Sequence, residues 1–189
     1  NEFLNWPHQP TPLYLDIGFG NGVSTLAFAR AEPESAFLAI DVHTPGVGDL
    51  LSKLHEREIT NVRVMETDAI AVLENMIRPR SLSGIYTLFP DPWQKKRHIS
   101  RRIIQQEFLN KISKVLKKNS TLHLSSDHPK AQEWILKNLI SNKNYDWDIE
   151  SIYNCYKKPK IFEETKYMKK SIREMRKAMW FKFRNIKEC

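Results

Sequence analysis

The segment that most constrains the fold is Leu15-Asp16-Ile17-Gly18-Phe19-Gly20-Asn21-Gly22. An apolar strand candidate, Leu13–Ile17, runs into three glycines, and a stretch at helical spacing, Val23–Ala31, leaves them. Glycines in such a turn allow tight backbone angles and let a ligand approach the main chain, because no Cβ stands in the way. A strand, a glycine turn and a helix in this order open a βαβ unit of a parallel sheet. All six glycines of the chain lie between Gly18 and Gly84, so this chemistry is confined to the first half.

The alternation continues along the chain. Strands are predicted at Ala36–Val42, Val62–Met65, Ile85–Phe89, Thr121–Ser125, Trp147–Tyr153 and Ala178–Phe183. Helices are predicted at Gly48–Arg57, Ala69–Asn75, Arg102–Leu116 and Pro129–Leu139, the third with an apolar stripe of Ile103, Ile104, Phe108, Ile112 and Leu116. The segment Tyr156–Glu164, with three lysines and a proline, reads as a mobile basic loop. The pattern predicts an α/β fold with a mostly parallel sheet and helices on both faces. The chain has 189 residues, which suits a single domain over 1–189. It starts at Asn1 without a methionine, so an N-terminal extension is expected to be missing.

Charge divides the chain. Residues 1–90 carry 6 basic and 11 acidic side chains, so −5, and residues 91–189 carry 24 and 11, so +13. A basic half predicts a polyanion partner. No apolar run approaches the roughly 18 residues that span a bilayer. Two cysteines, Cys155 and Cys189, are too few for a disulfide framework. A reduced, cytoplasmic protein without membrane contact is the expectation.

The glycine spacing is G-x-G-x-G, whereas the dinucleotide fingerprint is G-x-G-x-x-G with a pyrophosphate at the helix start. Asp16 places a negative charge at the mouth, which repels a pyrophosphate and suits a ligand carrying an ammonium group. Asp41 follows Gly18 by 23 residues, at the end of the second strand, where a carboxylate can accept hydrogen bonds from ribose hydroxyls. Asp68, before Ala69, either caps the next helix or faces a ligand's base. These carboxylates end three successive strands, the edge at which open α/β sheets bind ligands.

The run Phe89-Pro90-Asp91-Pro92-Trp93-Gln94-Lys95-Lys96-Arg97-His98, followed by Arg101 and Arg102, is the most specific. Two prolines restrict the backbone around one carboxylate, and basic residues with an aromatic follow at once. That pairs a rigid acidic group with a phosphate-binding surface. The histidines show no H-x-x-x-H pairing and the cysteines no C-x-x-C, so no metal is expected.

With Asp-Ile-Gly-Phe-Gly-x-Gly upstream, the Phe-Pro-Asp-Pro-Trp-x-Lys-x-Arg-His run resembles the bacterial tRNA (guanine-N7)-methyltransferases. The resemblance extends through Ile40–Val47, Thr67-Asp68-Ala69 and Leu122–Asp127, and ends at Thr165-Lys166-Tyr167. It implies a Rossmann-like class I methyltransferase fold, seven-stranded with an antiparallel last strand. It also implies S-adenosylmethionine as cofactor, S-adenosylhomocysteine as product, and the variable-loop guanine (guanine-46) of tRNA as substrate. Asp16, Gly18, Gly20, Gly22, Asp41, Asp68, Ala69 and Asp91 would then line the cofactor pocket, with Asp91 at the catalytic centre. Lys95 and Asp127 would contact the substrate nucleotide. Arg97, His98, Arg101 and Arg102 would hold the tRNA backbone. Thr165, Lys166 and Tyr167 match the family's Thr-Lys-Phe in the guanine pocket, and Met168 stands where the family has Glu. After it comes a basic tail of Lys169, Lys170, Arg173, Arg176 and Lys177. Such a protein is expected to act as a monomer or homodimer without an obligatory protein partner. A class I methyltransferase acting on another substrate, and a non-catalytic or altered-specificity RNA-binding homologue, are the alternatives.

Overall fold

The computed structural model describes residues 12–163 and 166–188. Seven strands form one sheet in the order β3-β2-β1-β4-β5-β7-β6. They are β1 (Leu13–Ile17), β2 (Ala36–Asp41), β3 (Val62–Glu66), β4 (Leu82–Leu88), β5 (Leu116–Ser126), β6 (Tyr145–Trp147) and β7 (Met179–Asn185). Only β7 runs antiparallel, against both β5 and β6. Helices α1 (Val23–Ala31), α2 (Thr44–Glu56), α3 (Ala69–Asn75), α4 (Gln106–Val115), α5 (Pro129–Ile140) and α6 (Lys166–Arg173) complete the chain. This is the seven-stranded, mostly parallel sheet with an antiparallel strand that the resemblance implies.

A parallel strand covered on both faces needs apolar residues at successive positions. In β2 the first five residues, Ala36 to Ile40, are all buried. One core cluster packs Leu15, Ile17 and Ile85 against α3, α4 and α5. The other packs Phe37, Ala39 and Tyr86 against α1 and α2. In the second, the Phe28 ring stacks on Tyr86 at 4.4 Å, and Phe162 meets Phe28 edge-on at 5.0 Å. Phe162 is therefore an anchor: it is 2% exposed and fastens the segment that reads as a mobile loop in sequence.

Several boundaries differ from the sequence pattern, β4 starting three residues and β5 five residues earlier among them. Helix α2 begins four residues earlier, because Pro45 fits a first turn and the His43 ring accepts from the Gly46 N–H. Helix α4 starts only at Gln106, since the backbone at Arg102 and Gln105 is extended after the 3-10 turn Lys96–Arg101. Strand β6 sits two residues earlier and ends at Trp147, where Ile152–Tyr156 forms another 3-10 turn. Helix α6 lies in the basic tail, where no helix is predicted from sequence. Its apolar contribution is short, with Met168 and Ser171 buried and lysines and arginines around them.

Candidate functional site

The strand order reverses between β1 and β4, the point where an open α/β sheet leaves a crevice at its carboxyl edge. Two cavities lie there, of about 390 and 300 Å³. They share Gly18, Asp41, Val42, Pro90 and Asp91, so they form one trough. The first is lined further by Asp16, Gly20, Asn21 and Ser24, the second by Thr67, Asp68, Ala69 and Thr87. Among the described residues, no group of three His, Cys, Asp or Glu side chains is placed to hold a metal.

The glycine turn is shaped by left-handed backbone and close approach. Gly18, Gly20 and Gly22 have φ of 73°, 61° and 72°, which glycine adopts without the penalty of a Cβ. A Cβ on Gly22 would come within 2.5 Å of Leu50 Cδ1. One on Gly46 would come within 2.1 Å of the Gly20 carbonyl oxygen, so α2 abuts the turn only because Gly46 is there.

Asp41 organises this edge. Its Oδ2 accepts from the Gly20 N–H at 2.8 Å and its Oδ1 from the His43 N–H at 3.0 Å. Each oxygen keeps acceptor capacity beyond these bonds. Asp16 is 1% exposed, and its Oδ2 accepts from the Thr25 hydroxyl at 2.6 Å. Burial raises its pKa to about 7, the Thr25 bond opposes that, and the Asp41 charge adds to it. Two neighbouring carboxylates at a cavity wall, one straining against its own ionisation, fit a cationic ligand and exclude a pyrophosphate. Asp68 spends Oδ1 on the start of α3, accepting from Ile70 N–H at 2.6 Å, and it also lines the second cavity. Of the two readings of Asp68 in the sequence, the helix cap is the one the hydrogen bonds show.

Asp91 is exposed and lies where the cavities meet. Its loop is held at both ends. The Phe89 N–H donates to the Ser125 carbonyl at 3.0 Å and its Oγ at 3.1 Å. Arg102 Nε donates to the Pro92 carbonyl at 2.9 Å and Nη2 to the Trp93 carbonyl at 3.3 Å. Phe89 and Trp93 have φ of 50° and 37°, sparsely populated angles for bulky residues that such surroundings impose.

This corrects one expectation. Arg102 is 7% exposed, with its guanidinium over the Trp134 ring at 5.2 Å, so it braces the loop from inside and does not present a cation to a polyanion. The exposed cations are Lys95, Lys96, Arg97 and Arg101. Arg101 lies over Trp93 at 5.1 Å, and the half-exposed His98 meets the same ring edge-on at 5.6 Å. Together they make a basic wall around an aromatic, its first cation, Lys95, four residues after Asp91.

Asp127 follows β5 and is held from the tail. Its Oδ2 accepts from Arg176 Nε at 2.8 Å and Nη2 at 2.7 Å. Gln132 Nε2 donates to the carbonyls of Ser126 and Lys177, both at 2.8 Å, and so fastens the same two segments. Next to Asp127, burial lowers the pKa of His128; Asp127 opposes the shift, while Arg176, Arg102 and Lys130 reinforce it. Met168 is 7% exposed and belongs to the apolar cluster that contains Phe162 and Trp180. Thr165 and the side chains of Lys166 and Tyr167 lie outside the described residues. Thr87, His128 and Arg176 were not singled out as site residues. Only Arg176 gave a sequence signal, the basic tail.

Comparison with known proteins gives consistent results. A family model described as a putative methyltransferase matches residues 10–181. The tRNA (guanine-N(7)-)-methyltransferase of Neisseria meningitidis serogroup C / serotype 2a is 48% identical over 130 residues, 69% of this chain and 55% of that protein. The protein of the same name from Methylobacillus flagellatus is 44% identical over 128 residues, 68% of this chain and 54% of its own length. The chain thus spans about half the length of the curated relatives it matches. Among solved structures, a 16S rRNA methyltransferase, KamB, superposes with a TM-score of 0.68 at 15% identity, covering 95% of this chain and 90% of that one. An rRNA methylase from Streptococcus thermophilus gives 0.59 at 14% identity, covering 94% and 89%. At such identities these two structures speak for the fold alone.

Proposed function

Because this chain belongs to the putative methyltransferase family whose model it matches over residues 10–181, that of the bacterial tRNA (guanine-N7-)-methyltransferases, we propose that it methylates N7 of a guanine in tRNA, the variable-loop guanine-46. The methyl donor in this reading is S-adenosylmethionine, and S-adenosylhomocysteine is released. The observation that carries the reading is the position of Asp91, shared by both halves of the trough and four residues before Lys95, the first cation of the basic wall.

S-adenosylmethionine, when bound, supplies an activated methyl on a sulfonium. The residues present fit it. Asp16 and the adjoining glycine turn offer a negative, close-approach wall to an ammonium group. Asp41 has acceptor capacity for ribose hydroxyls, and Asp68 with Ala69 borders the space for a base.

Guanine N7 carries an in-plane lone pair that Watson–Crick pairing leaves free, so no proton has to depart before attack. The protein's task is then positioning, an effect worth about 7–11 kcal/mol in favourable cases. As the purine gains positive charge, the Asp91 carboxylate at the junction of the cavities stabilises it. Lys95, Arg97 and Arg101 hold phosphates, with Trp93 presenting a ring between them. Asp127, fixed by Arg176, faces the substrate nucleotide. The protein acts in the cytoplasm as a monomer or homodimer. Among the described residues no helix is long and apolar enough to cross a membrane.

The test is transfer of labelled methyl from S-adenosylmethionine to unmodified tRNA, with the product nucleoside identified. N7-methylguanosine in the variable loop supports the proposal, and label in another nucleoside or none at all defeats it. A second reading, an RNA-binding homologue of altered specificity or without transfer, draws on one observation. Met168 stands buried among apolar side chains where the family carries Glu. That reading expects tRNA binding with a steep salt dependence and no methylated product.

A further inference from the structure

We infer that the Thr87 hydroxyl is a ligand contact, bonding the nucleoside half of the cofactor in the second cavity; this rests on the cofactor reading above. Thr87 is 2% exposed, and its Oγ1 finds no hydrogen-bond partner among the described residues. Buried hydroxyls are almost always bonded, so an orphan needs a reason. Packing supplies none, since valine would fill the same volume without a polar atom.

Among the described residues two other buried atoms share this state, and neither belongs to a residue lining the trough. Asn185 Oδ1 is the unused end of an amide whose nitrogen donates to the carbonyls of Ser113, Leu116 and Lys117, a fastening of β7 to the start of β5. His128 Nδ1 belongs to the loop after β5. Thr87 alone lines a cavity at the switch point.

Its place in the sheet says which half of the ligand it meets. Tyr86 pairs with Asp16 across β1 and β4 and packs on the α1 face. Strand alternation turns the next residue, Thr87, to the opposite face. There it borders the same cavity as Asp41, Asp68 and Ala69, at the ends of β2 and β3. Asp16, the group suited to an ammonium, lines only the first cavity. The amino-acid half therefore belongs to the first cavity and the nucleoside half to the second, whose wall includes Thr87.

Calorimetric titration of S-adenosylhomocysteine and 5′-methylthioadenosine into wild type, Thr87→Val and Thr87→Ser tests this. The second probe carries the nucleoside without the amino acid. The expected result is that Thr87→Val weakens both probes about 5- to 10-fold, the size of one neutral hydrogen bond. Thr87→Ser should stay within about twofold of wild type. Ligand-free Thr87→Val should melt at or above wild type, because an unsatisfied polar atom has gone. Equal affinity of Thr87→Val and wild type overturns the assignment and leaves the cofactor reading standing. So does a loss confined to S-adenosylhomocysteine, which moves the contact to the amino-acid half. A ligand-free Thr87→Val that melts lower puts the hydroxyl's partner inside the protein and likewise overturns it. Failure of wild type to bind either probe overturns the cofactor reading and the inference together.

Discussion

The two ends of this sheet use carboxylates in different ways. At the β1–β4 end, Asp41 and Asp68 are held by backbone N–H groups and Asp16 by a threonine hydroxyl, and none of the three forms an ion pair among the described residues. At the β5–β7 end, Asp127 is held by an arginine of the same chain, and the neighbouring loop is braced by another, Arg102. Neutral donors leave negative charge uncompensated in a trough, ready for a cationic ligand. Arginine partners cancel it and fix its direction, beside a surface that is otherwise basic. The cationic cofactor and the polyanionic substrate proposed above would thus meet opposite electrostatics at the two ends.

Breaking the first end should have the largest effect. Asp41→Ala removes the acceptor for two backbone N–H groups and the candidate ribose contact, and charged hydrogen bonds are worth about 1.5–3 kcal/mol each. S-adenosylhomocysteine affinity is expected to fall about 100-fold or more, measured by calorimetry. An unchanged affinity would mean that the turn holds its shape without that carboxylate.

Asp16→Asn sharpens the contrast through pH. The folded pKa of Asp16 is raised to about 7 from 3.8. Between those values the folded chain keeps a proton that the unfolded chain has released. Stability therefore falls as pH rises through that window, and the full penalty is present above pH 7. Asn removes it. Asp16→Asn should be more stable than wild type by roughly 2–4 kcal/mol at pH 8, with the gain vanishing near pH 4, while cofactor affinity drops. Denaturant unfolding at the two pH values checks this; a gain independent of pH would contradict it.

Arg176→Ala probes the other end and should act more mildly. The pair is partly exposed, with side chains 31% and 18% accessible, so its contribution to stability is discounted for solvent screening to within about 1 kcal/mol. Transfer to tRNA is expected to fall about tenfold in kcat/KM through loss of Asp127 orientation. S-adenosylhomocysteine affinity should not move. Equal losses in both would erase the distinction between the two ends.

The sequence was most informative at the first end. Short-range chemistry rules there: strand apolarity, glycine spacing and a carboxylate at each strand end are all local, and α1 and α3 begin and end where their spacing puts them. The second end depends on long-range partners. Arg102 reads as one more cation in a basic run, and only the fold buries it against Trp134 and turns it onto the Pro92 and Trp93 carbonyls. Arg176 reads as part of a solvated tail until α6 carries it to Asp127, 49 positions away. Helix α6 leaves little trace in the sequence because its buried side is only a few residues wide. Thr87 was silent for another reason: a threonine in a strand is ordinary, and only the absence of a partner in three dimensions makes it notable.

In the proposed reaction, methyl transfer takes place at Asp91, where the two halves of the trough meet the basic wall. Single-turnover transfer from S-adenosylmethionine to tRNA by Asp91→Ala, with cofactor and tRNA both saturating, tests it most directly. The expected rate is at least about 100-fold below wild type, the scale of a lost electrostatic stabiliser in other enzymes, even when every site is filled. A saturated rate equal to wild type would contradict it and reduce Asp91 to a binding residue.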